Sequence, residues 1–345
     1  MEKRGVSIFV FTIMFTLIAG AIILVFFFSF GKNLFSFSSE LTKTENLLVL
    51  EKNLASFALS SNSEKTITFS EDSYIDINCV SGKFELQAEK TVPGERGRTI
   101  PSEKILPTEK LIFSPFPIKS SSVQAWTLAW NYPFKIDNLY FVADDKTTFY
   151  FPDYSSLATS SPAKYFVDKF DQTKFNVVKG TPPNALQQAV IVYFVNAPPT
   201  PTTNQKVVQF IDLGGSNPQV KLWKDSSSMQ IPIWGDAMVY AAIFSADYDK
   251  FNNCVINGLG NDRIKNMVEI YKDTVPKLGK ANNGACAGID EYRALSGDSG
   301  WLDKLANNNP NNKQDAAKQI KELNDDLKST ECPVLFKGVE TLRLI

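Results

Sequence analysis

Residues 6–30, VSIFVFTIMFTLIAGAIILVFFFSF, contain no charge and no proline, and their polar side chains are Ser7, Thr12, Thr16 and Ser29. A charge near the centre of a bilayer costs roughly 2.5–3.5 kcal/mol on insertion scales, so an uncharged run of this length reads as a membrane segment. About 20 apolar residues span the hydrocarbon core, and this run is slightly longer. The chain that follows is polar enough to form a water-exposed body.

The flanks set the orientation. Lys3 and Arg4 precede the run and Lys32 is the first charge after it. A short basic stub keeps the N-terminus cytoplasmic and places everything from Gly31 onward outside. A cleaved secretory signal would have an apolar core of about 7–15 residues and an A-x-A-like site. This run is longer and ends in Phe-Phe-Phe-Ser-Phe, so it is expected to stay attached. Thr12, Thr16 and Gly20 lie four apart and share one helix face, a small-residue face that suits a second membrane helix or another copy, although threonines bonding back to their own helix carbonyls account for the same residues. The expected partners are thus the lipid bilayer and a neighbour in it.

Lys3-Arg4-Gly5 directly before the apolar run resembles the leader of archaeal type IV pilin-like proteins. That resemblance implies cleavage after Gly5 and assembly of the apolar helix into a filament core. The glutamate such proteins carry at the fifth mature position falls here at Val10, a departure. A basic flank obeying the positive-inside rule accounts for the same residues.

Composition excludes several classes. The chain has 345 residues, a formal net charge of −1 and a pI near 5.8, without the basic balance of a nucleic-acid binder. It contains no histidine, which removes Ser-His-Asp and Cys-His catalysis and histidine zinc sites together. The SGDSG string at 296–300 echoes a trypsin-like nucleophile loop, but without histidine it reads as a turn. The four cysteines, Cys79, Cys254, Cys286 and Cys332, form no C-x-x-C pair and in an exported body read as two disulfides.

Along the chain, Leu34, Phe37 and Leu41, then Leu47, Leu50, Leu54 and Phe57, recur at helical spacing, so the membrane helix is expected to run on as a stalk of about 80 Å in all. From Lys65 the period changes to alternation at 66–69, 74–77 and 83–86, with a turn at Ser81-Gly82; 96–107 reads as a loop, and strands resume at 123–130, 139–142 and 147–151. Trp126 and Trp130 are read as buried in this sheet rather than as a sugar platform. Ser161-Pro162 signals the cap and first turn of a helix through Phe170. Apolar runs at 189–195 and 207–213 suit interior strands, and 175–178, 219–223, 229–234 and 238–244 complete a second sheet. The last third is helical: 247–275, then 286–306 with Gly297 and Gly300 as weak points, then 313–330. In an up-down-up order, Cys286 and Cys332 share one pole and Cys254 lies at the other, which favours Cys286–Cys332 and Cys79–Cys254.

The expected fold class is α+β: a stub at 1–5, the span 6–30, a stalk helix 31–60, a β-rich unit 64–150, a mixed α/β unit 151–245, a helical unit 246–333 and a tail 334–345. This layout resembles uncharacterised single-span envelope proteins of DPANN-type archaea. The resemblance rests on Lys3-Arg4-Gly5 with the anchor, IFSP at 112–115, the AIFS-to-helix passage with Tyr248 and Cys254, and Cys332-Pro333; it implies no activity.

The expected function is that of a membrane-anchored extracytoplasmic envelope protein with a structural or interaction role and no catalysis. A pilin-like filament subunit is the first alternative and a carboxylate-dependent ectoenzyme the second. For the latter, Asp144-Asp145, Asp247/Asp249 and Asp325-Asp326 are candidates by residue type alone, and Ser161-x-x-Lys164 has a serine–lysine spacing that its cap position explains better. No D-x-D-x-D-G calcium loop and no P-loop is present, so no metal and no cofactor is expected.

Overall fold

The computed structural model describes residues 45–57, 62–91, 99–182, 188–195, 205–215, 217–224, 227–280, 286, 290–296, 299–307, 309–330 and 332–336, together with Gly20, Ile23 and Val25. Gly20, Ile23 and Val25 are helical and exposed. The remainder of the 6–30 run, with Gly5, Thr12 and Thr16, lies outside the described residues. Among those that are described, no helix is long and apolar enough to cross a membrane.

Two mixed six-stranded sheets and several helices build an α+β body. The first sheet comprises β1 (Glu64–Val80), β2 (Lys83–Thr91), β3 (Thr99–Thr108), β4 (Leu111–Phe113), β5 (Ile118–Asn131) and β6 (Lys135–Asp144), in the order β3-β2-β1-β5-β6-β4. It is antiparallel except where β4 joins β6. The alternation read at 74–77 is real: Ile75 and Ile77 are each 1% exposed, while the alternate residues Tyr74, Asp76 and Asn78 are half-buried on the other face. β1 and β2 meet at Ser81 (φ 50°) and Gly82 (φ 79°), the two positive values that a tight two-residue hairpin needs.

The second sheet comprises β7 (Thr148–Tyr150), β8 (Asn176–Val178), β9 (Ala189–Tyr193), β10 (Gln205–Ile211), β11 (Gln219–Lys224) and β12 (Ser227–Pro232), in the order β12-β11-β10-β9-β7-β8. β8, β7, β9 and β10 run parallel, which requires crossovers; the first is α2 (Pro162–Asp171). Ser161 caps α2 by accepting a hydrogen bond from the Lys164 backbone N–H at 3.2 Å.

Three expectations are corrected here. Residues 96–107 were expected to loop, yet Thr99–Thr108 is the edge strand β3, pairing with β2 alone. Pro101 and Pro107 are tolerated because an edge strand has an unpaired side. Residues 238–244 were expected to be a strand, yet Ala237–Ser245 is helix α3, and all nine of its residues are buried. A helix enclosed on every side has no polar face, so its sequence carries no 3.6-residue period. The stalk expected at 31–60 is the third, over its described part only; Leu34, Phe37 and Leu41 lie outside the described residues. Helix α1 is described over 45–56, and its stripe of Leu47, Leu50 and Leu54, with Phe57 beyond, is 0–7% exposed within the core of the body. Asn46 Nδ2 donates to Ser73 Oγ at 2.6 Å, Lys65 Nζ to Asn53 Oδ1 at 2.7 Å, and Lys110 pairs with Glu51. The amphipathic face is thus docked on the body and does not stand free.

The helical end also differs in detail. The expected first helix is three pieces: α4 (Tyr248–Lys250), a π-helical turn (Phe251–Ile256) and α5 (Leu259–Gly279), which carries Pro276 inside it. The second divides into α6 (Asp290–Ser296) and α7 (Trp301–Ala306). Gly300 sits at the N-cap of α7, and Gly297 lies outside the described residues. α8 spans Pro310–Leu327.

An aromatic lattice ties these layers together. The Phe244 ring on α3 lies 5.1 Å from Phe141 of β6, 4.9 Å from Phe149 of β7, 5.6 Å from Phe170 of α2 and 4.9 Å from Phe175. Tyr240, one turn earlier, sits edge-on to Trp126 at 4.8 Å and donates its hydroxyl to Phe166 O at 3.0 Å. Phe244→Ala is expected to cost about 3–5 kcal/mol, the range for deleting a buried ring, and chemical denaturation measures it.

α8 brings a cation into this interior. Lys313 is fully buried, donates to Leu305 O at 2.9 Å and stands 5.3 Å from the Trp234 ring. Burial, aided by Lys265, pushes its ammonium down to about 8. An unfolded lysine titrates near 10.4, so between those values the unfolded chain holds the extra proton and stability rises with pH. Lys313→Met removes this contribution. The stability of the wild type relative to the variant is therefore expected to rise between pH 7 and pH 10 in paired denaturation curves.

Candidate functional site

The three aspartate pairs have different fates. Asp144 is buried and holds a turn together, accepting from the Thr147 backbone N–H at 3.1 Å, Thr147 Oγ1 at 2.9 Å and the Lys119 backbone N–H at 3.2 Å. Asp145 accepts from Ser120 Oγ at 3.3 Å. Asp325 pairs with Lys328 on the exposed end of α8. The Ser161–Lys164 spacing belongs to a helix cap, and Lys164 Nζ reaches Tyr154 Oη at 2.5 Å instead. Of the SGDSG string, Ser296 ends α6 and Ser299 (φ 61°) turns the chain just before α7, while Gly297 and Asp298 lie outside the described residues. Trp126 and Trp130 are 2% and 0% exposed, with Trp130 Nε1 donating to Trp234 O at 2.7 Å, so neither offers a face to a ligand.

Asp247 and Asp249 line a cleft of about 320 Å³. It forms where β1, the β4–β5 loop, β10 and α4 meet. α3 ends at Ala246 in a left-handed conformation (φ 42°), which turns the chain sharply outward. Asp247 then caps α4, its Oδ1 accepting from the Lys250 backbone N–H at 2.9 Å. This places the Lys250 side chain in the cleft, where Nζ makes a long 3.4 Å bond to Ser114 O. β10 contributes Lys206, whose ammonium lies 5.5 Å from the Phe116 ring. β1 contributes Asp76 and Asn78, turned outward by the strand alternation, and the π-helical turn contributes Asn253.

The electrostatics are unusual for lysines. Among the described residues, neither Lys206 nor Lys250 has a carboxylate within ion-pair distance. Burial is the main influence on Lys250, and repulsion from Lys206 adds to it; together they outweigh the attraction of Asp76 and Asp247 and push the amine down to about 8. Burial lowers Lys206 as well, against the pull of Asp247 and Asp76. Two close ammoniums without an adjacent counter-ion are poorly solvated, and an anion between them relieves both strains.

A disulfide fixes the wall of this cleft. Cys79, at the end of β1, is bonded to Cys254 on the π-helical turn, 175 residues later. Alongside it, the Leu259 backbone N–H donates to Gly82 O at 2.9 Å, and a Cβ on Gly258 would stand 2.4 Å from both Asn253 O and Gly82 O. Glycine is therefore required there for the hairpin tip to touch the helix. The second bridge joins Cys286 to Cys332. Both bonds follow the pairing favoured by the order of the helices, and no cysteine is free. Two structural disulfides with no free thiol mark an extracytoplasmic body.

Among the described residues, no cluster of three or more acidic, cysteine or histidine side chains is placed to hold a metal ion. Sequence reasoning reached Asp247 and Asp249 but missed Asp76, Phe116, Lys206 and Lys250. These residues are scattered over most of the body and share no motif; Asp76 in its alternating strand carried the nearest signal. No protein-family model, curated protein or solved structure matches the chain.

The Lys250 amine is open to direct measurement. Competitive acylation followed by peptide mass spectrometry is expected to give a half-reaction pH near 8 for Lys250, against about 10.4 for an unperturbed lysine. Lys206→Met removes the neighbouring charge and is expected to move that midpoint upward.

Proposed function

We propose that this chain is an envelope protein, held to the cell membrane by the apolar run at 6–30, whose disulfide-braced body lies outside the cytoplasm and serves a structural or interaction role without catalysis. The observation that carries the reading is the pairing of all four cysteines, with one bridge closing 175 residues of chain. Such cross-links persist where thiols are not kept reduced. The basic stub at Lys3-Arg4 and the uncharged run after it supply the orientation and the anchor. The absence of histidine from the whole chain supports the non-catalytic part.

A second reading, a pilin-like filament subunit, is favoured by one specific observation: Lys3-Arg4-Gly5 abuts the apolar run. Filament assembly would then use the helix face of Thr12, Thr16 and Gly20, where the anchored reading has lipid and a neighbouring helix.

One preparation separates these readings. On the anchored reading, the protein sediments with membranes, external protease on intact cells removes the body, and intact mass retains Met1. Loss of the first five residues would replace it with the filament subunit. Recovery from the cytosol with four alkylatable thiols would overturn both.

A further inference from the structure

The cleft gathers two lysines, three aspartates and two asparagines around one space, with Asn78 already donating to Gln87, Asn253 accepting from Asn252 and Lys250 donating to Ser114 O. Lys206 and Lys250 present two ammoniums to one space of about 320 Å³, and among the described residues no carboxylate lies within ion-pair distance of either, although Asp76 and Asp247 attract both. Asp247 already spends one oxygen on the cap of α4. Asp76, Asn78 and Asn253 line the rest, and the Phe116 ring lies beside Lys206. A volume at the lower end of the ligand-pocket range, roughly 300–1,000 Å³, admits one or two small rings and not a folded partner.

The mixture of charges narrows the class. Two ammoniums suit a single carboxylate, one to each oxygen. The aspartates beside them repel a second negative charge, which disfavours polyphosphates and nucleic-acid backbones. Carboxylate and amide side chains are instead good acceptors and donors for hydroxyl groups. The Phe116 ring supplies an apolar surface for a ring face. We propose that this cleft binds a singly charged, polyhydroxylated carboxylate, the uronic acid residue of an acidic polysaccharide, with Lys206 and Lys250 on the carboxylate and Asp76, Asn78 and Asn253 on the hydroxyls.

The inference rests on the cleft and not on the anchor, so failure of the membrane reading leaves it intact. Binding also has a signature that packing alone does not produce. Near pH 8 the Lys250 amine is about half protonated, and a carboxylate beside it favours the charged form. Binding therefore takes up protons at pH 8 and none at pH 6. The groups facing this amine are Lys206 from β10, Asp76 from β1 and Asp247 and Asp249 from α4.

The test is titration calorimetry on the full-length protein in detergent, with glucuronate, galacturonate and their short oligomers. Acetate, glucose and inorganic phosphate serve as comparison ligands, and two buffers of different ionisation heat report proton uptake. The expected result is uronate binding at least tenfold tighter than acetate, glucose or phosphate. Lys206→Met and Lys250→Met are each expected to weaken it tenfold or more, and the wild type to show net proton uptake at pH 8. Phosphate binding as tight as uronate, uronate no tighter than acetate or glucose, or no proton uptake at pH 8 would each overturn the proposal. The last measurement uses only the wild type, so it holds even if a lysine variant does not fold.

Discussion

Helix α3 has no side that meets water, and the rest of the body is arranged around that fact. A strand in the same place would need a neighbouring strand on each side to satisfy its backbone, whereas a helix satisfies its own. Nine buried residues therefore pass through the interior with most of their backbone hydrogen bonds made inside the helix. The side chains they project become the common floor for both sheets and for α2. Tyr240 and Phe244 receive rings from the first sheet, from the second and from the crossover helix, at centroid distances of 4.8–6.3 Å. The two sheets share one continuous core for this reason.

The same helix positions the cleft. Its left-handed exit at Ala246 throws the chain outward, and the Asp247 cap restarts a helical turn that delivers Lys250 and then Cys254. From the other side, the β1–β2 hairpin brings Asp76, Asn78 and Cys79, and the disulfide locks the two approaches together. Its stabilising effect is large on chain-entropy grounds because the closed segment is long, with roughly 4–5 kcal/mol expected for loops of about 100 residues. Two lysines are then held near each other by backbone that has little freedom to let them apart. Among the described residues neither lysine forms an ion pair within the cleft, and that is the observation from which the anion site is proposed.

Some of this arrangement is readable from residue order. Ser161-Pro162 announces α2 because cap and first-turn chemistry are local. The alternation around Ile75 and Ile77 announces β1 because one face of that strand is buried and the other is not. The cysteine pairing follows from the order of helices, even though the second of them is two helices, α6 and α7. Elsewhere the local signal points the wrong way. Pro101 and Pro107 argue against a strand, but β3 occupies an edge where a missing N–H is harmless. The Leu47, Leu50 and Leu54 stripe announces a helix correctly, but periodicity names no partner, and that partner is the body.

What the sequence determined by itself is whatever depends on near neighbours: the uncharged run at 6–30, the capped helix, the half-buried strands, the hairpin turn, and the exclusion of imidazole chemistry. The tertiary structure alone decided that residues 237–245 are helical, that the 45–56 helix docks, and that Asp76, Lys206 and Lys250 share one cleft. The physical reason is the same in each case. A side chain's surroundings on every face, and its distance from a residue a hundred positions away, are properties of packing, and neither burial on all sides nor the identity of a distant partner leaves a period in the chain.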